Sequence, residues 1–302
     1  MSASLLAAAL LTACATNPAS RRAALIADAD REAKQAVATE NQLNASAIPA
    51  RTLAVVPFTV ASRDTLLTAL GFGLAELLTT DLAQSPQLQM VERLRIDAIL
   101  RELKLVETGV TDPRTAPRAG RLMGARRLLT GSITTGPGGT VRLQARVIDV
   151  VDGTVQNLVS ADAPLARIFD AEKSLALLLF ERLGVSITPA QRVAIEQRQT
   201  TQLAALVAFG RGEQAEARGD VAAAIAAFEE ASRLDAAFVA SHTHVAAAPS
   251  SASSRERSVQ RVLSLSAQAL NQPAAAHVSE VADAPLPAAL TIPLLITIRV
   301  LP

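Results

Sequence analysis

Residues 128–159, LLTGSITTGPGGTVRLQARVIDVVDGTVQNLV, leave this chain little choice of fold. From Val141 the pattern alternates cleanly: Val141, Leu143, Ala145 and Val147 fall on one face, Arg142, Gln144 and Arg146 on the other. A period of two is the mark of a strand with one buried face. Gly136-Pro137-Gly138-Gly139 supplies a turn before it, and Asp152-Gly153 is a strong two-residue hairpin signal after it. Three strands in a meander are therefore expected, at residues 127–134, 140–151 and 155–163. The turns between them are short.

Upstream, residues 53–58 (LAVVPF) read as a buried strand stopped at Pro57. Asp64 is placed to cap a helix running to about residue 83, with Leu67, Leu70, Leu74, Leu77, Leu78 and Leu82 on one face. Ser85-Pro86 ends it. A short strand is expected at 88–91, a helix at 95–105, a loop at 108–117 and a short helix at 117–123. After the meander comes a helix at 168–183. That order predicts an α/β fold over residues 51–187, a mixed sheet with helices packed on it.

Composition agrees with this and excludes some functions. Half the residues are apolar, but Ala supplies much of that, and there are seven Phe with no Trp or Tyr. A core of small aliphatics suits helices packed closely on a sheet and offers few aromatic platforms for bases or sugars. With 29 Lys+Arg against 28 Asp+Glu the net charge is +1, so no strong field points to nucleic acid.

The single cysteine, Cys14, closes the run MSASLLAAALLTAC, and Leu11-Thr12-Ala13-Cys14 has the form of a bacterial lipobox. A short apolar stretch ending in small residues reads as a secretory signal, too short to span a membrane as a helix. Residues 1–14 are thus expected to be a lipoprotein signal peptide, with Cys14 acylated as the new N-terminus. An ordinary signal peptide with a chance cysteine, or a buried thiol, is the alternative. No Lys or Arg precedes the apolar run, which a start upstream of Met1 would explain. Ala15 and Thr16, not Asp, follow the cysteine and favour the outer over the inner membrane. Residues 15–50 read as an Ala-rich tether that holds the next domain off the lipid surface. Within it, 21–43 is either an exposed helix or disordered.

From Thr188-Pro189 to residue 271 the pattern is helical. Residues 205–238, ALVAFGRGEQAEARGDVAAAIAAFEEASRLDAAF, look like one tetratricopeptide repeat of 34 residues. Gly212, Gly219, Ala224, Phe228, Ala231 and Leu234 fall where that repeat wants its packing residues. Ala208 and Ala215 stand where larger residues are usual, and Ala236 where proline is; any Ala-rich helical hairpin is the plainer reading. One repeat cannot bury its own face, so helices at 189–199 and 254–270 are expected beside it. Residues 272–287 form a Pro/Ala-rich linker in the 272–302 tail. Within that tail Ile292, Leu294, Ile296, Ile298 and Val300 alternate as a strand, and Pro293 makes it an edge strand. It either returns to the sheet of the first domain, the favoured outcome, or adds to another protein's sheet.

The ordered set AVVPF, a Leu-rich helix, VERLRIDAILRELKL, LMGARRLLTGSIT and VRLQARVIDVVDGTV resembles the curli production assembly/transport (CsgG-type) lipoproteins over roughly residues 51–185. The resemblance implies a lipoprotein with a CsgG-like periplasmic module, anchored in the outer membrane and partnered with envelope or secretion proteins or with copies of itself. Pore-forming members of the family carry two membrane-crossing hairpin insertions, one inside the meander and one after its last strand. A membrane-crossing strand needs about 9 to 11 residues. Here the first place holds only Gly136–Gly139, and in the second Ala163-Pro164-Leu165 leads almost directly to a helix. The resemblance therefore implies the family's periplasmic module without its barrel, followed by an α-helical repeat region.

Little in the sequence suggests catalysis. Gly71-Phe72-Gly73 lacks the third glycine of a dinucleotide loop and lies within a helix; Gly136–Gly139 is followed by no Lys-Ser/Thr and cradles no phosphate. His242 and His244 have only His277 besides and no nearby cysteine, a poor metal set. Ser160 and Asp162 have no histidine nearby. Glu229-Glu230 and Arg126-Arg127 read as solvated faces. The sequence thus predicts no enzyme, cofactor or metal, and a lipid-anchored periplasmic adaptor or scaffold. The second reading is a subunit of an outer-membrane secretion channel, and the third an enzyme or small-ligand sensor.

Overall fold

A computed structural model describes residues 18–60, 65–110, 112 and 114–238. Cys14, Asp64, His242, His244, His277, the helix expected at 254–270 and the strand within 272–302 lie outside the described residues.

The predicted meander is present: β4 (Arg127–Thr135), β5 (Thr140–Asp149) and β6 (Val155–Pro164) pair antiparallel, with Leu129 opposite Val147 and Ala145 opposite Val159. The strand expected at 53–58 splits into β1 (Thr52–Val55) and β2 (Thr59–Val60). Pro57 has no N–H to give a ladder. Val56 instead donates to Leu129 O, and Phe58 donates to Gly71 O of α2 (Thr65–Leu82). β1 runs parallel to both β3 (Gln89–Met90) and β4, so the sheet order is β3-β1-β4-β5-β6 with β2 beside β4. This is the mixed α/β fold expected.

Both faces of the inner strands are covered. Leu53, Val55, Leu129, Leu143 and Val147 face α2 and α5 (Ile168–Arg182). Ala54, Val56, Leu128 and Ile148 face α3 (Arg93–Glu102) and α4 (Ala116–Met123). α2 is the one described helix long and apolar enough to cross a membrane, and most of it is buried inside the fold.

Two regions sit differently from the sequence expectation. The segment read as a tether contains α1 (Pro18–Ala38), which packs on α3 instead of standing off. Ile26 and Ala33 are buried, with Ala29 and Ala36 partly so, a stripe at helical spacing made almost wholly of alanine. Such a stripe carries too little hydrophobic contrast to show in the sequence.

The helical region is also no appendage. After α6 (Pro189–Glu196), capped by a Thr188–Gln191 capping box, α7 (Leu203–Ala217) and α8 (Val221–Leu234) form a hairpin within the same core as the sheet. α7 lies directly on α2: a Cβ on Gly210 would overlap the Ala69 carbonyl oxygen, and one on Gly73 would lie 2.7 Å from Leu206 Cδ1. Backbones this close require glycine.

Candidate functional site: buried charge clusters and an open sheet end

Where α7 meets α1, α2 and α3, charged groups are buried together. Glu76 from α2, Asp97 from α3, and Glu213 and Glu216 from α7 are all buried. Arg93 Nε lies 3.7 Å from Glu76 and 3.5 Å from Glu213, while its Nη1 donates to Val55 O at 3.4 Å. Arg22 of α1 donates from Nε to Glu216 at 3.0 Å. Arg101 donates to Asp30 of α1 at 2.6 Å and to the Glu216 and Ala217 carbonyls at the C-terminal end of α7 at 3.0 Å, where a cation is favoured.

With Arg101 and its partner Asp30 counted, five acids face three arginines, so full ionisation would leave two negative charges uncompensated. The cluster resolves this with protons. Burial pushes Asp97 up to about 7 against the opposing pull of Arg93. Burial, then the neighbouring Glu76, raises Glu213 well above the usual carboxylate range. Both Asp97 oxygens and Glu216 Oε1 lack a hydrogen-bond partner among the described residues, as a site held by charge balance more than by geometry would show.

A second cluster ties α2 to α5. Lys173 Nζ lies 2.7 Å from Asp81 and 3.4 Å from Glu172, and Gln199 Nε2 donates to Asp81 at 3.0 Å. Burial, then Asp81 alongside, raises Glu172 well above its ordinary value. Both clusters act as joints between helices. Among the described residues no group of three or more His, Cys, Asp or Glu is arranged to hold a metal.

The other end of the sheet is open. On the face of β5 and β6 turned away from α2, Arg142, Arg146, Leu158, Ser160 and Asp162 are exposed. Arg142 pairs with Asp162 at 2.6 Å, and that pairing holds Asp162 below its usual range. Leu158 is 56% exposed, with Val155 exposed further along the strand and Val151 exposed in the turn before it. The ladder shifts register between Val147, opposite Asn157, and Ile148, opposite Val155. That bulge turns Val155 to the same open face as Leu158. β4 reaches β5 through Gly136–Gly139, with Gly138 and Gly139 at positive φ, and β6 reaches α5 through the single 3-10 turn Leu165–Arg167. Neither connection holds a strand pair. A shallow groove lies between α5 and α6, lined by Leu177, Phe180, Val185 and Ile187 among others.

Of the proposed repeat-packing residues, Gly212 brings α7 onto α8, since a Cβ there would lie 2.5 Å from the Phe228 ring. Ala224, Phe228 and Ala231 are buried, and Gly219 takes φ +80° in the turn. Leu234 does not pack; it is 45% exposed. The stripe Ala224, Phe228, Ala231 continues at helical spacing to Asp235, leaving Leu234 roughly 80° away around the axis. The place is filled by Phe238, whose ring lies 5.1 Å from Phe209. The concave face such a repeat would offer is closed, because α7 is buried on nearly all sides. Arg126, read as solvated, pairs with Asp149 at 3.2 Å, and Glu230 pairs with Arg211 at 2.7 Å.

The sequence reading missed the charge clusters. Their one signal is polar residues at core positions of apolar helices: Glu76 between Ala75 and Leu77, and Asp97 between Ile96 and Ala98.

Fold and surfaces together define an α/β module with an integrated helical hairpin, fastened by buried charge and open at one sheet end. The family model for the curli production assembly/transport component CsgG matches residues 32–135, from within α1 to the end of β4. Solved structures similar to this chain include two lipoproteins. One is the LpoB C-terminal domain from Salmonella enterica, 18% identical, covering 41% of this chain and 91% of that one at a TM-score of 0.30. The other is lipoprotein GNA1162 from Neisseria meningitidis, also 18% identical, covering 46% and 100% at a TM-score of 0.30. At that identity and TM-score neither likeness bears on what this chain does. No curated protein matches it.

Proposed function

We propose that this chain is a non-catalytic outer-membrane lipoprotein of the CsgG type, anchored through Cys14, facing the periplasm and acting as an adaptor or scaffold in envelope assembly or secretion. The observation that carries the reading is the CsgG match over residues 32–135. The lipobox at 11–14 supports the anchor. Acylation adds about 0.8 kcal/mol per buried methylene, and more than one chain is needed for stable anchoring, which a bacterial lipoprotein has. The hairpin α7–α8 is proposed as a single tetratricopeptide-like repeat whose first helix is used up internally. Partners would then meet α8 or the open sheet face.

The second reading, a channel subunit, is weakened by the four residues of Gly136–Gly139 and the three of Leu165–Arg167. Neither connection holds the roughly 20 residues a membrane-crossing hairpin needs. Labelling with radioactive palmitate and membrane fractionation test the anchor: wild type should label and sediment with outer membrane, and Cys14→Ser should do neither. Purified protein should give no conductance in planar bilayers. Unitary conductance steps would overturn the adaptor reading.

A further inference from the structure

β6 is a ten-residue edge strand whose outer side pairs with nothing among the described residues. An edge like this is usually blunted. Here a bulge follows at Gln156 and proline stands at 164, but the seven residues 157–163 between them run in regular register along β5. Charge on that stretch is confined to Asp162, which Arg142 already faces. Two further groups lie unspent on the same face: Leu158, more than half exposed, and Arg146, which forms no ion pair among the described residues.

We infer that β6 pairs antiparallel with β6 of a second copy about a two-fold axis at Ser160, joining two sheets edge to edge. The inference is independent of the adaptor reading. It follows from what this register places together. Centring on Ser160 uses all seven unbulged residues, with Asn157 opposite the partner's Ala163 and Val159 opposite the partner's Ala161. On the open face Leu158 falls beside the partner's Asp162. Arg146, directly opposite Leu158 on β5, then lies two strands from that carboxylate, about 10 Å away across Leu158 and within reach of an extended arginine side chain. The two-fold repeats the row in reverse. Arg146 gains an acid, Leu158 is covered by the stem of Arg146 as it crosses to that acid, and no two like charges stand opposed. Ser160 meets Ser160, flanked by Gln144 on each side.

A self-complementary edge makes a closed pair.

The register gives a direct test. Cys14 is the only cysteine, so residues 15–302 contain every described residue and no thiol. In that chain Ser160→Cys places two thiols across the axis, with Cβ atoms about 4.5–5.5 Å apart, close enough to oxidise with little movement. Gln156→Cys sets the two thiols about 27 Å apart. Under mild oxidation Ser160→Cys should run as a disulfide dimer on a non-reducing gel, while Gln156→Cys stays a monomer. Light scattering on the unsubstituted chain should give twice the chain mass. Arg146→Glu should raise the dimer dissociation constant at least tenfold, with the circular dichroism spectrum unchanged. A monomer at all accessible concentrations would overturn the inference, including one whose β6 amides are protected by residues 291–300 of the same chain. So would a dimer that Ser160→Cys fails to cross-link or that Arg146→Glu leaves intact.

Discussion

The two ends of the sheet are built on different terms. Around β1 and β4 both faces are covered, α7 presses on α2 through glycines, and the charges that remain are buried and matched by protons. Around β5 and β6 one face is packed and the other is left to solvent, with arginine, serine and an exposed leucine along it. The closed end carries the stability, and substitutions there act on folding. The open end is free of that duty, and its side chains are available for contact.

Removing Arg93 should separate the two most sharply. Arg93→Met takes the cation from beside Glu76 and Glu213 and leaves buried acids uncompensated, a loss of about 3–5 kcal/mol in denaturant unfolding. Leu158→Ser at the open end should stay within about 0.5 kcal/mol at concentrations too low for association. Gly210→Ala forces a methyl onto the Ala69 carbonyl and should cost about 1–3 kcal/mol by overpacking, seen as a lowered Tm.

pH sharpens the contrast further. Asp97 titrates near 7 when folded and near its ordinary 3.8 when unfolded, so between those values the folded state binds the extra proton. Stability contributed by that proton is complete below about 4 and is lost as pH rises through 7. Glu213 and Glu172, also raised, push in the same direction. The unfolding free energy should therefore fall from pH 5 to pH 8, and Asp97→Asn should flatten that slope. The smallest effect belongs to the exposed pair Arg142–Asp162, where Arg142→Ala should leave Tm unchanged.

These contrasts also mark what the sequence could disclose. The meander was legible because alternation and Asp152-Gly153 are local signals, and α2 because six leucines repeat at helical spacing. The packing of α1 was hidden because its contact stripe is mostly alanine, a strong helix former on any face that adds little hydrophobic contrast to one. Glu76, Asp97, Glu213 and Glu216 went unremarked in the sequence because a charge discloses burial only through its partners, and those lie up to 194 residues away in the chain. Ala208, smaller than the repeat pattern expects, is fully buried. The small residues along α7 are what lets it lie against α2, and that closed the groove an open repeat would have kept.

Native-state hydrogen exchange on residues 15–302 bears most directly on the fused core. The amides of α7 should exchange with those of α2 and β1, at the slowest rate and with the same denaturant dependence, since they share one interior. An α7–α8 hairpin that opens at lower free energy than α2 would contradict this. It would make the helical hairpin a separate module resting on the sheet domain.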